Sequence, residues 1–84
     1  MIYSELRELI VHALRSIEVV SEEQQAAMKA DPALDLNLGE LGIDSVSVMD
    51  FCVVIEDRIN RDLDIPELIE NPTVNKLAQH LAAG

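Results

Sequence analysis

Leu6, Leu9, Ile10, Ala13, Leu14 and Ile17 recur at the i, i+3, i+4 spacing of a helix with one buried face, which predicts a helix over residues 4–20. Ser21-Glu-Glu-Gln24 then has the form of a capping box, with Ser21 at the N-cap and Gln24 three residues on, ahead of the good helix formers of residues 25–30. An extra turn or short helix is expected there, stopped by Asp31-Pro32. Residues 33–42 show no period. In this long loop Leu36, Leu38 and Leu41 are expected to plug the core.

Periodicity returns at Ser45 and runs to about Arg61, now with two apolar stripes. Val48, Phe51, Cys52, Ile55 and Ile59 suit a face buried against the first helix. Val46, Met49 and Val53 form a second stripe about a third of a turn away, edged by Asp50, Glu56 and Asp57. An apolar strip edged by acids has the composition of a docking surface. Asp64-Ile-Pro-Glu67 starts a helix of one or two turns, with an Asp N-cap and Pro66 in the first turn, and Leu68 and Ile69 expected toward the core. Asn71-Pro72 ends it, and Thr73 opens a last helix with the stripe Val74, Leu77, Ala78 and Leu81, fading into Ala-Ala-Gly84. The pattern predicts one all-α domain over residues 1–84, a small four-helix bundle with a long loop between the first helix and the helix starting at Ser45.

Composition narrows the chemistry. The single cysteine, Cys52, excludes an intramolecular disulfide and reads as a small core hydrophobe, and no Cys/His spacing suggests zinc. Calcium fails as well: in an EF-hand frame from Asp31 the turn-glycine position holds Leu36 and the bidentate-Glu position Gly42, and a frame from Asp35 puts Glu40 and Val46 there. No metal is expected. The net charge of −10, from 16 acids against 6 Lys and Arg, argues against nucleic acid and anionic membrane surfaces and for basic protein partners. No signal-like N-terminus and no apolar run of about 18 residues is present, so a cytoplasmic location is expected. His12 and His80 lie off the apolar stripes, so a hydrolase built on Ser45 would lack an oriented base.

The chemistry concentrates in Leu41-Gly-Ile-Asp-Ser-Val-Ser-Val-Met-Asp50, which packs a turn, a hydroxyl and a helix start into ten residues. Gly42 punctuates the chain, and Asp44 and Ser45 both favour an N-cap. A serine there stands at the exposed mouth of a helix, where partial positive charge and unpaired N–H groups favour an attached phosphate.

With these residues in place the sequence resembles the acyl and peptidyl carrier protein family. The resemblance rests on Leu41-Gly-Ile-Asp-Ser-Val46 and on Ile65-Pro-Glu-Leu-Ile-Glu-Asn-Pro-Thr-Val-Asn-Lys-Leu-Ala78, and it covers roughly residues 35–81. It implies that a phosphopantetheinyl transferase moves 4′-phosphopantetheine from coenzyme A onto Ser45, flanked by Asp44, and that the arm's thiol holds cargo as a thioester. The protein itself would be a non-catalytic monomer. The resemblance also implies that Val46, Ser47, Met49, Asp50, Val53, Glu56 and Asp57 form the surface met by loading and processing enzymes with basic docking patches. Several features depart from the family pattern: Val46 stands for the usual Leu, Ser47 for a frequent acid, residues 21–34 are long, and Arg58 and Arg61 interrupt the acidic face. These departures point to a free-standing acyl, aminoacyl or peptidyl carrier of polyketide, nonribosomal peptide or related specialised biosynthesis. The alternatives are a housekeeping fatty acid carrier and an unmodified binding module of the same fold.

Overall fold

Five α-helices follow one another in the computed structural model, which describes residues 1–83. They are α1 (Tyr3–Ser16), α2 (Glu22–Ala30), α3 (Ser45–Ile59), α4 (Ile65–Glu70) and α5 (Val74–Ala83), with a single 3₁₀ turn at Leu38–Glu40. The all-α bundle expected from the sequence is present, and residues 22–30 form a separate helix. Gly84 lies outside the described residues.

α1 is the central post, packed against α5, α3 and α2. Three neighbours bury more than one stripe. Besides the periodic leucines, Val11 and Arg7 are buried, so the covered arc spans about 200° of the helix. Leu6, Ile10 and Leu14 meet Phe51, Ile55, Val74 and Leu77 in the innermost layer.

The first helix ends four residues earlier than the spacing predicts. The Glu18 N–H donates to the Arg15 carbonyl (3.1 Å) and the Val19 N–H to the Leu14 carbonyl (3.2 Å), which is the Schellman pattern. Glu18 occupies the left-handed position (φ 64°) where glycine is usual, so the sequence carries no stop signal there. Glu18→Gly is expected to stabilise the protein by about 0.5–1 kcal/mol, measured as a higher denaturation midpoint.

The caps read from sequence are formed. Ser21 Oγ accepts from the Gln24 N–H (3.1 Å) while Gln24 Oε1 accepts from the Ser21 N–H (2.8 Å). Thr73 Oγ1 accepts from the Lys76 N–H (3.1 Å). Asn60, in the left-handed region, closes α3.

The long loop is tied down at several points. Leu38 is buried, and Leu36 and Leu41 are half-buried, as anchors of the core. The Leu38 N–H donates to the Pro72 carbonyl (2.7 Å) and the Val74 N–H to the Leu36 carbonyl (3.0 Å), making an isolated antiparallel bridge between Asn37 and Thr73. Asp35 Oδ1 accepts from the Asn75 N–H (2.9 Å) and so caps α5 from across the chain.

Arg7 gives the strongest tie. Its side chain is only 5% exposed and donates to the carbonyls of Met28, Asp31 (3.1 Å) and Leu34 (2.6 Å) and to Asn75 Oδ1 (2.8 Å). The guanidinium thus sits at the C-terminal end of α2, where unpaired carbonyls and the helix dipole favour a cation.

Candidate functional site

Asp44 and Ser45 divide the two roles that the sequence allows to either. Asp44 is the N-cap of α3: its Oδ1 accepts from the Ser47 N–H (2.7 Å) and its carbonyl from the Val48 N–H (2.9 Å). That bond from Ser47 holds its carboxyl below the usual aspartate range. Ser45 is the first helical residue, exposed, and its hydroxyl is hydrogen-bonded to none of the described residues. Gly42 supplies the reversal just before it, with φ 69° and open space around its Cα, so backbone conformation alone demands glycine. Half-buried Leu41 and Ile43 pin the turn on both sides.

Beside Ser45 lies a cleft of about 570 Å³. Leu38 and Ile43 from the loop, Val48 and Phe51 from α3, and Leu68 and Ile69 from α4 give it apolar walls, with Ser45 and Asp44 at the rim. Leu68 is buried as expected. Ile69, expected toward the core, is instead 72% exposed. Adjacent residues on a helix point about 100° apart, and a six-residue helix lying on the rim can bury only one of them.

The second stripe of α3 faces solvent. Val46 is 70% exposed and Met49 66%, with Val53 also exposed, and Asp50 and Asp57 flank them. Two members of the sequence-derived set, Ser47 and Glu56, border this strip and are less exposed than it. Ser47 is half-buried and lines a groove with Ser16, Ile17 and Glu18 that Asp50 and Val53 of the strip also line. Glu56 is half-buried, and its Oε2 accepts from the Leu63 N–H (2.7 Å), holding the chain after α3. The arginines do not break the acidic face. Arg58 lies about 120° round the helix from Val46, in a groove with Glu8, His12 and Lys29, and Arg61 follows the helix and pairs with Glu67 (3.0 Å). Cys52 is buried on the core side of α3, where burial and the Glu56 carboxylate push its thiol up.

The sequence model of one family, the phosphopantetheine attachment site, matches residues 4–81 of the 84-residue chain. The chain belongs to the phosphopantetheine-binding carrier family. No curated protein and no solved structure matches it. Proteins of this family bear a 4′-phosphopantetheine group and work with phosphopantetheinyl transferases and biosynthetic enzymes. The residues of this carrier fit such a group: a free hydroxyl at the start of a 15-residue helix, with first-turn N–H groups beside it and an apolar cleft next to it. No helix among the described residues is long and apolar enough to cross a membrane. No group of three or more His, Cys, Asp or Glu among them is placed to hold a metal ion.

The carrier also contains an ion cluster that sequence reasoning missed. Glu67 on α4 accepts from the Asp64 N–H with Oε2 (2.8 Å), and its Oε1 meets His80 Nε2 of α5 (2.8 Å) and Arg61 (3.0 Å). The Asp64 N–H first, then His80 and Arg61, hold the Glu67 carboxyl down to about 2 from 4.5. A depressed carboxyl pKa stabilises the fold above its unfolded value, and that contribution is lost as pH falls through the folded one. Stability is therefore expected to drop between about pH 4.5 and 2, and Glu67→Gln should flatten that part of a denaturation-midpoint profile. The wall that loosens is α4, one side of the cleft.

Proposed function

We propose that Ser45 bears the phosphopantetheine arm and that the chain is one carrier domain shuttling acyl, aminoacyl or peptidyl cargo in polyketide, nonribosomal peptide or related specialised biosynthesis. What supports the attachment point most is the exposed, unbonded hydroxyl of Ser45 at the first position of α3, set there by the Asp44 cap. When bound, the arm supplies a terminal thiol that holds cargo as a thioester. The protein's own residues then present and shelter. Ser45 fixes the root of the arm, and the walls formed by Leu38, Val48, Phe51, Leu68 and Ile69 offer an apolar cargo a place out of water.

The chain carries no base suited to attack by Ser45. His80 is bonded to Glu67, and His12 lies in the groove with Arg58. The role is that of a substrate for partner enzymes. Incubation of the apo protein with coenzyme A and a promiscuous phosphopantetheinyl transferase should add one arm, located by mass on the peptide containing Ser45. No gain, or a gain on another peptide, would overturn the assignment.

Partners dock on Val46, Met49 and Val53, steered by Asp50 and Asp57, while Ser47 and Glu56 lie at the margins. The apolar side chains give contact once water leaves, and the acids raise the encounter rate with basic patches. Reversing Asp50 and Asp57 to Lys should lower kcat/KM for arm transfer and cargo loading about tenfold at low salt and remove most of its salt dependence. Glu56 is left in place in this variant because it secures Leu63.

A further inference from the structure

The four sulfur side chains of the protein divide sharply by access. Met28 is 3% exposed and Cys52 6%, whereas Met1 is 59% and Met49 66% exposed. Met1 stands by the groove near Glu5, His12 and Arg58. Met49 stands one helical turn after Ser45, about 6 Å along the axis, between Val46 and Val53 on the apolar strip.

We propose that Met49 is a reversible oxidation site whose conversion to the sulfoxide turns off partner docking. This rests on the docking role given to the strip above. A hydroperoxide transfers one oxygen to the thioether. Its O–O bond breaks, sulfur gives up two electrons, and with hydrogen peroxide the remaining oxygen leaves as water. The new S=O dipole is a strong acceptor in the middle of a surface that must shed water to bind, and an acceptor buried without a donor opposes association. The fold is spared, because the Met49 side chain points to solvent while the core side of α3 is filled by Phe51, Cys52 and Ile55. A methionine sulfoxide reductase reverses the change: two thiols give up two electrons and become a disulfide, and the oxygen leaves as water.

The test uses apo protein, which has no arm thiol to react. Limiting hydrogen peroxide should add one oxygen at Met49 before Met28 gains any, as mapped by peptide mass. The Met49-oxidised protein should keep its helical spectrum and melting temperature while kcat/KM for arm transfer falls about five- to tenfold, the size expected for one central contact. The reductase should restore the rate, and Met49→Leu, whatever its own starting rate, should lose none of it on the same treatment.

Oxidation of Met28 in step with Met49, or equal peroxide losses in wild type and Met49→Leu, would overturn the proposal. If oxidation at Met49 leaves the rate unchanged while Val46→Ser lowers it, the strip docks partners and the oxidation proposal alone fails. If Val46→Ser and the Asp50/Asp57 reversal are also without effect, the docking role fails with it.

Discussion

Ser45→Ala is expected to abolish arm attachment outright, with no mass gain after prolonged incubation with transferase and coenzyme A, while the melting temperature stays within a few degrees of wild type. On the proposed assignment the loss is total because the hydroxyl oxygen would form the bond to phosphorus and no other group at that position could replace it. The fold is unaffected for a separate reason. Ser45 is exposed, bonded to none of the described residues, and sits inside the helix, where alanine is favourable. Asp44→Ala gives the contrasting result. It removes the acceptor for the Ser47 N–H, lowers the melting temperature, and slows attachment without abolishing it. A Ser45→Ala protein that still gained the arm would place attachment elsewhere.

Arg7→Ala should have the largest effect on the fold. The guanidinium serves the carbonyls of Met28, Asp31 and Leu34 and the Asn75 side chain, joining α1 to the end of α2, to the long loop and to the start of α5. Truncation leaves several acceptors without a donor in a site too enclosed for full hydration. At about 1–3 kcal/mol per orphaned group, partly relieved by entering water, the net loss should be about 3–4 kcal/mol. For a domain of this size that lowers the melting temperature by about 15 °C or more, which thermal unfolding by circular dichroism would read directly. Arg7→Lys should recover little, since an ammonium cannot span acceptors spread over three segments. A loss under about 1 kcal/mol for Arg7→Ala would show that the leucines, the Asn37–Thr73 bridge and the Asp35 cap hold the loop without it.

Neither the end of α1 nor Arg7 is legible in the chain. Glu18 takes a left-handed conformation without the glycine that usually announces it, because the packing of Val19 and Val20 against the bundle outweighs the local cost. Arg7 stands in the sequence like any helix-surface arginine, and only the return of the loop over it makes it buried. Ile69 is misplaced for a related reason. Whether a residue at the edge of a stripe faces the core or a neighbouring turn depends on where the next element lies. What is legible is local: the caps at Ser21, Asp44 and Thr73 rest on residues three positions apart, and the two stripes of α3 rest on helix geometry alone. The exposed apolar strip emerges from the same spacing, which is why Val46, Met49 and Val53 are exposed together while Phe51 and Ile55 are buried.

The short bridge between Asn37 and Thr73 has a mechanical consequence. It closes the chain on itself at the base of everything from the 3₁₀ turn to the end of α4, so Ser45, both stripes of α3 and the cleft belong to one loop clamped at its two ends. Below the clamp, α1 and α5 share the most extensive packing in the protein. Above it, α4 is secured mainly by Leu68 and by the Glu67 cluster with His80 and Arg61. On the proposed attachment at Ser45, a shift of α4 alone would fit the cleft to a cargo of a different size while the α1–α5 foundation and the root of the arm stayed in place.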